Sequence, residues 1–96
     1  MISTHVLDTE LGEPAAGMKV GLYRDKDLVS LQETDENGRI AELATSLEPG
    51  EYRLVFHVDS GFFEKVELTI AIADPHRRYH VPLLVSSYQC TTYLGS

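Results

Sequence analysis

The sequence predicts an all-β fold, a two-sheet sandwich of about seven or eight short strands in a single domain spanning 1–96. Three observations carry the prediction. Apolar residues recur with period two along most of the chain, and no segment keeps helical spacing over three turns. Turn-forming residues interrupt the alternation at strand-length intervals. A chain of 96 residues has room for only one core.

The elements follow in order. A first strand near 3–8 is closed by Leu11-Gly12-Glu13-Pro14 and Gly17. In the strand near 17–24, Met18, Val20 and Leu22 alternate with Lys19, Gly21 and Tyr23. A strand near 27–33 leads to Asp35-Glu36-Asn37-Gly38, a hairpin signal because Asn-Gly readily takes the positive φ of a tight turn. The strand near 39–44 ends before the turn Glu48-Pro49-Gly50. Near 51–58, Tyr52, Leu54, Phe56 and Val58 share one face, and Asp59-Ser60-Gly61 turns the chain. The longest alternation, 62–73, sets Phe62, Glu64, Val66, Leu68, Ile70 and Ile72 against mostly polar neighbours, as in a strand half-buried on a core. After Asp74-Pro75, the strand near 78–86 presents Tyr79, Val81, Leu83 and Val85 on one face, and a last strand lies near 89–93. Pro82 has no N–H to donate, so its strand is expected at an edge or locally bulged. An open edge invites pairing with another chain.

Composition excludes several classes. The net charge of −7 argues against nucleic acid, whose binding is driven by Lys and Arg releasing counterions. An anionic ligand remains possible where the few cations converge. No apolar stretch approaches the roughly 18 residues of a membrane helix. Met1-Ile2-Ser3-Thr4-His5 shows no basic region followed by an apolar run, so the expectation is a protein that stays in the cytoplasm. Cys90 is the only cysteine, which forbids an internal disulfide and reads as a small apolar residue. There is no glycine-rich phosphate loop, no cysteine pair with metal spacing and no nucleophile elbow. His76 and His80 are four apart, about 13 Å in extended chain, too far to share a metal.

The four histidines, His5, His57, His76 and His80, are the candidates for proton transfer near neutral pH. His5 lies in the first strand, where a half-buried ring bonded to a neighbour is the ordinary alternative. His80 sits opposite Tyr79, Val81 and Leu83, so if those face the core its imidazole faces outward, to solvent or a partner subunit. Arg39 directly follows the Asn37-Gly38 turn, a place where a solvated cation is commonplace.

The ordering of local motifs is more specific. Ser3-Thr4-His5-Val6-Leu7-Asp8-Thr9, Gly12-Glu13-Pro14-Ala15-Ala16-Gly17 and Thr34-Asp35-Glu36-Asn37-Gly38-Arg39 resemble the front half of the 5-hydroxyisourate hydrolases of the transthyretin-like family. Tyr79-His80-Val81-Pro82-Leu83-Leu84-Val85-Ser86 and Tyr93-Leu94-Gly95-Ser96 resemble its back half. The resemblance covers nearly the whole chain, and its two ends single out the hydrolases among prealbumin-like sandwiches. It implies a homotetramer, a dimer of dimers with active sites where the dimers meet. It implies His5, Arg39 and His80 as catalytic residues, with Tyr93, Gly95 and Ser96 of the terminal tetrapeptide against the substrate. No metal or organic cofactor is implied. The purine-derived substrate, 5-hydroxyisourate from urate oxidation, would be opened by water attacking a ring carbonyl. One imidazole, His5 or His80, would take the proton from that water while the other orients it or donates to the departing nitrogen. Arg39 would hold ring oxygens or developing negative charge.

Two departures from the family accompany the match. The family ends Tyr-Arg-Gly-Ser, and Leu94 replaces that arginine with an apolar side chain. The short helix usual in the family is expected to be missing near 58–62, where only Asp59-Ser60-Gly61 stands. Leu94 favours an alternative function, a non-catalytic transthyretin-like tetrameric carrier for a small apolar or aromatic ligand. A prealbumin-like support module is the third reading, favoured by the commonplace middle motifs.

Overall fold

The computed structural model of the chain describes residues 1–96 and contains no helix. Ten strands follow one another: β1 (Ile2–Asp8), β2 (Glu13–Pro14), β3 (Lys19–Arg24), β4 (Asp27–Glu33), β5 (Arg39–Ala44), β6 (Gly50–Phe56), β7 (Val66–Ile72), β8 (Tyr79–His80), β9 (Leu83–Val85) and β10 (Cys90–Thr92). They form the two sheets of the expected sandwich. In one, β4-β3-β6-β7 run antiparallel throughout. In the other, β1 is central: its first half pairs with β5 and, in parallel, with β8. Its second half pairs with β2 and, in parallel, with β9, to which β10 adds.

Alternation makes the core. Ile2, Val6 and Leu83 from one sheet meet Val20, Leu22, Leu54 and Phe56 from the other, all fully buried. Each such large side chain stabilises the fold by about 1.5–3 kcal/mol relative to exposure. The buried hydroxyl of Thr4 donates to the Val81 carbonyl at 2.6 Å, so β1 is fastened to the chain between β8 and β9. The consequence for the outer face is direct. Ile2, Thr4 and Val6 point inward, so Ser3 and His5 point outward.

The structure departs from the sequence reading at several places, beginning with Glu13–Pro14, read as a turn, which pairs with β1 as a short strand. The run 78–86 is two strands, because Val81 and Pro82 interrupt it. Pro82 is buried, and β9 lies between β1 and β10, so the proline breaks the strand instead of marking an edge. The run 62–73 begins pairing only at Val66. Asp59 and Gly61 take positive φ (48° and 94°), and the Ser60 hydroxyl bonds both the Phe63 amide and the Ser87 carbonyl at 3.0 Å. Phe62 then packs edge-on against Phe63 and near Tyr88, outside the core. The Asn37-Gly38 turn joins β4 of one sheet to β5 of the other, so it crosses the sandwich and closes no hairpin. Finally, His76 sits in the turn after Asp74, not in extended chain.

Candidate active site

The outer face of β1, β5 and β8 carries a cleft of about 710 Å³, and strand register explains how it is furnished. His5 pairs with Arg39 across the antiparallel β1–β5 ladder. Ser3 pairs with His80 across the parallel β1–β8 ladder. Partners in register project to the same side of a sheet, so all four face outward together. Beyond His80, Gly95 of the C-terminal tail pairs with it in an isolated bridge, the Gly95 amide donating to the His80 carbonyl at 2.7 Å. Three sequence-predicted residues far apart along the chain, His5, Arg39 and His80, are thereby neighbours.

Each is held. The Asp35 carboxylate accepts the amides of Asn37 and Arg39, both at 2.9 Å, which fixes the turn that starts β5. The same turn anchors His5, whose Nε2–H donates to the Asn37 carbonyl at 2.9 Å. Gly38 is required there: its φ is +75°, and a Cβ on it would overlap the Val6 carbonyl oxygen and crowd Pro14. His80 lies half-buried with Nδ1 2.9 Å from the Ser3 hydroxyl. Its ring passes so close to Gly95 that a Cβ there would stand 2.8 Å from His80 Cδ2. Glycine at 95 is therefore a condition of the ring's position.

Positive side chains predominate in the cleft. Arg39, Arg77 and Arg78 line it, together with Ser96. The chain's ion pairs are Arg24–Glu48 and Arg53–Glu67, so the three cleft arginines are paired with no carboxylate. Asp35, the acidic side chain on the cleft wall, is engaged by backbone amides. Burial lowers the pKa of His80 below its ordinary 6.5, and the neighbouring Arg39 guanidinium and His5 ring lower it further. The His80 imidazole is therefore neutral at pH 7 and able to accept a proton.

Of the sequence-predicted residues, Arg39, His80, Gly95 and Ser96 line the cleft, His5 stands beside Arg39 on the same sheet face without lining it, and Tyr93 does not reach it. Tyr93 and Leu94 are exposed and border a separate apolar groove of about 370 Å³ with Leu68, Ile70, Tyr79 and Val81. Sequence reasoning missed Ser3, Arg77 and Arg78. Ser3 lies two residues from His5 on one strand, and Arg78 two before His80, so the same period-two logic puts each on its neighbour's face. No three His, Cys, Asp or Glu side chains cluster as metal ligands would.

Such a cleft offers a neutral imidazole and unpaired guanidinium groups, with a second imidazole, His5, anchored beside Arg39 on the same face, the components for adding water to a planar, anion-forming carbonyl compound. Known proteins share its frame. The chain is 41 % identical to "5-hydroxyisourate hydrolase 2" of Rhizobium meliloti over 118 aligned positions, covering 99 % of this chain and 95 % of that protein. The alignment is longer than this chain, so the relative carries segments that this chain lacks. The solved structure of Klebsiella pneumoniae 5-hydroxyisourate hydrolase superposes with a TM-score of 0.91 at 30 % identity, covering 99 % of this chain and 97 % of that one. Sea bream transthyretin solved with thyroxine superposes with a TM-score of 0.87 at 22 % identity, covering 99 % and 96 %, a likeness of fold. The HIUase/transthyretin family matches residues 2–95, and the chain belongs to it.

Proposed function

We propose that this protein hydrolyses 5-hydroxyisourate, opening the ring with water. The observation that carries the reading is the in-register juxtaposition of His5, Arg39 and His80 on one outer sheet face, where Arg39 and His80 line the cleft. Identity of 30–41 % to 5-hydroxyisourate hydrolases over nearly the full chain supports it. His80 is the general base. With its Nδ1–H donating to the Ser3 hydroxyl, the Nε2 lone pair is free to take a proton from water. The water oxygen bonds to the ring carbonyl carbon, the C–N bond breaks, and the proton passes to the departing nitrogen. The product gains a carboxylate. Arg39 stabilises the oxyanion as it forms, since a guanidinium stays charged and its fork matches planar acceptors. His5, tethered to Asn37, orients the substrate or the water. Gly95 and Ser96 line the substrate's side of the cleft.

The working form is a homotetramer, a dimer of dimers whose facing surfaces close the outer-face cleft over its substrate. The openness of that cleft to solvent and the apolar groove beside Tyr93 and Leu94 support assembly. Within it, Tyr93 reaches a substrate only through a neighbouring copy. We place the enzyme in the cytoplasm, in keeping with the unpaired Cys90. The residue that favours a carrier, Leu94, borders the neighbouring groove and leaves the cleft polar, which supports catalysis over simple binding.

Freshly prepared 5-hydroxyisourate tests the reading. The protein is expected to speed the loss of its ultraviolet absorbance well above spontaneous decay. Decay at the spontaneous rate, with saturable binding of an apolar ligand, would instead establish the carrier.

A further inference from the structure

We propose that Arg77 and Arg78 form a second cationic wall of the cleft, which holds the anionic part of the substrate and makes the site selective for planar heterocycles bearing negative charge. The proposal rests on the hydrolase reading and extends its machinery to two residues on the turn between β7 and β8. Three of the chain's five arginines line this one cleft, although the whole chain carries a net charge of −7. Gathering unpaired like charges costs free energy, and a site for an anion is what offsets it.

The turn is fixed by its own hydrogen bonds, and it presents Arg78 on the face of His80 with Arg77 packed on Tyr79 at the margin. The Asp74 carboxylate caps the His76 amide at 2.9 Å, and the Tyr79 hydroxyl donates to the Asp74 carbonyl at 2.8 Å. The Arg77 guanidinium lies over the Tyr79 ring, 5.4 Å from its centroid. Tyr79 is buried, so Arg78 and His80, one residue to either side of it, are directed to the outer face. Arg78 thus shares the face of the general base, with Arg39 on the other side of β1. Leu94, on the adjoining groove, supplies no charge. Hydrolysis of a cyclic amide leaves a new carboxylate, so a cationic wall holds both an ionised ring and its product.

The test joins steady-state kinetics with equilibrium titration by urate, a stable planar anion. In Arg78→Ala, and more strongly in the Arg77→Ala/Arg78→Ala pair, KM rises and urate affinity falls by about tenfold for each charge-assisted hydrogen bond removed. The effect falls on KM more than on kcat and weakens as salt is added. Arg78→Lys recovers part of the loss, and Lys26→Ala, the same change of charge on the remote β3–β4 turn, alters neither quantity. Unchanged KM and unchanged urate affinity in the double variant would overturn the proposal. An inactive parent whose urate binding still depends on both arginines would overturn the hydrolase reading and leave the anion wall standing.

Discussion

Ser3 and His80 meet across the parallel register of β1 and β8, with 2.9 Å between the serine hydroxyl and Nδ1 of the imidazole. The hydrogen bond joins residues 77 positions apart in the chain, and it exists because the fourth crossing of the sandwich, from β7, returns β8 alongside the first strand. A ring held at Nδ1 presents Nε2 to the cleft in one orientation.

Ser3→Ala removes that hold without disturbing the core, because Ser3 faces outward. One neutral hydrogen bond is worth about 0.5–1.5 kcal/mol, so kcat is expected to fall roughly 3–10-fold with the melting temperature nearly unchanged. Steady-state kinetics beside a thermal melt checks this. Parental kcat in Ser3→Ala contradicts the positioning role.

Gly95→Ala places a methyl group 2.8 Å from His80 Cδ2 and 3.3 Å from the His80 carbonyl oxygen. The ring must move, and misplacement by a few tenths of an ångström to an ångström is expected to cost roughly 10–10² in turnover. The tail is exposed on its other side, so the fold survives. A variant as active as the parent would show that the tail does not set the ring's position.

The pH dependence follows from the lowered pKa of His80. The neutral base persists below the ordinary 6.5, so kcat/KM stays level at neutral pH and falls only on the acid side of that value. Arg39→Ala removes one of the positive charges that depress it. Its acid limb should therefore shift to higher pH, with maximal turnover about 10²–10³ below the parent. A shift to lower pH has the wrong sign. Stability has a matching window: between the lowered folded pKa and 6.5 the unfolded chain binds more protons, so the His80 contribution to stability is lost as pH falls through that range.

Gly38→Ala strains a left-handed position and drives a methyl group into the Val6 carbonyl. The expected cost is about 1–3 kcal/mol of stability. Turnover should fall as well, because the same turn anchors His5 and starts Arg39 on β5. Chemical denaturation and kinetics on the surviving folded fraction measure both effects. An unperturbed variant would remove the turn from the account of the site.

Most of the fold was legible because half-buried strands write their faces with period two. Val20 and Leu22, Leu54 and Phe56, and Leu83 and Val85 point inward as that alternation requires. The pairing of strands is written elsewhere. Nothing local says that β8 joins β1 in parallel, or that the chain changes sheets at Gly38, since those depend on closing the core across long sequence separations. Phe62 and Glu64 keep the period of β7 although the Ser60 turn and the Phe62–Phe63 stacking hold them off the sheet. At the site, His5, Arg39 and His80 stood out by residue chemistry and motif. Ser3, Arg77 and Arg78 did not, because serines and surface arginines are common and only the folded arrangement brings these three to the cleft. Tyr93 was assigned by its neighbours in the tetrapeptide, whereas it borders the separate groove and only Gly95 and Ser96 of the tail line the cleft.

The most direct measurement is stopped-flow loss of 5-hydroxyisourate absorbance with the parent and with His80→Ala, His5→Ala and Arg39→Ala, each first shown to fold and assemble as the parent does. Clear acceleration by the parent, reduced about 10²–10³-fold in His80→Ala and Arg39→Ala and to a lesser degree in His5→Ala, is the predicted result. Parental rates in the His80 and Arg39 variants would contradict a cleft whose chemistry depends on those side chains.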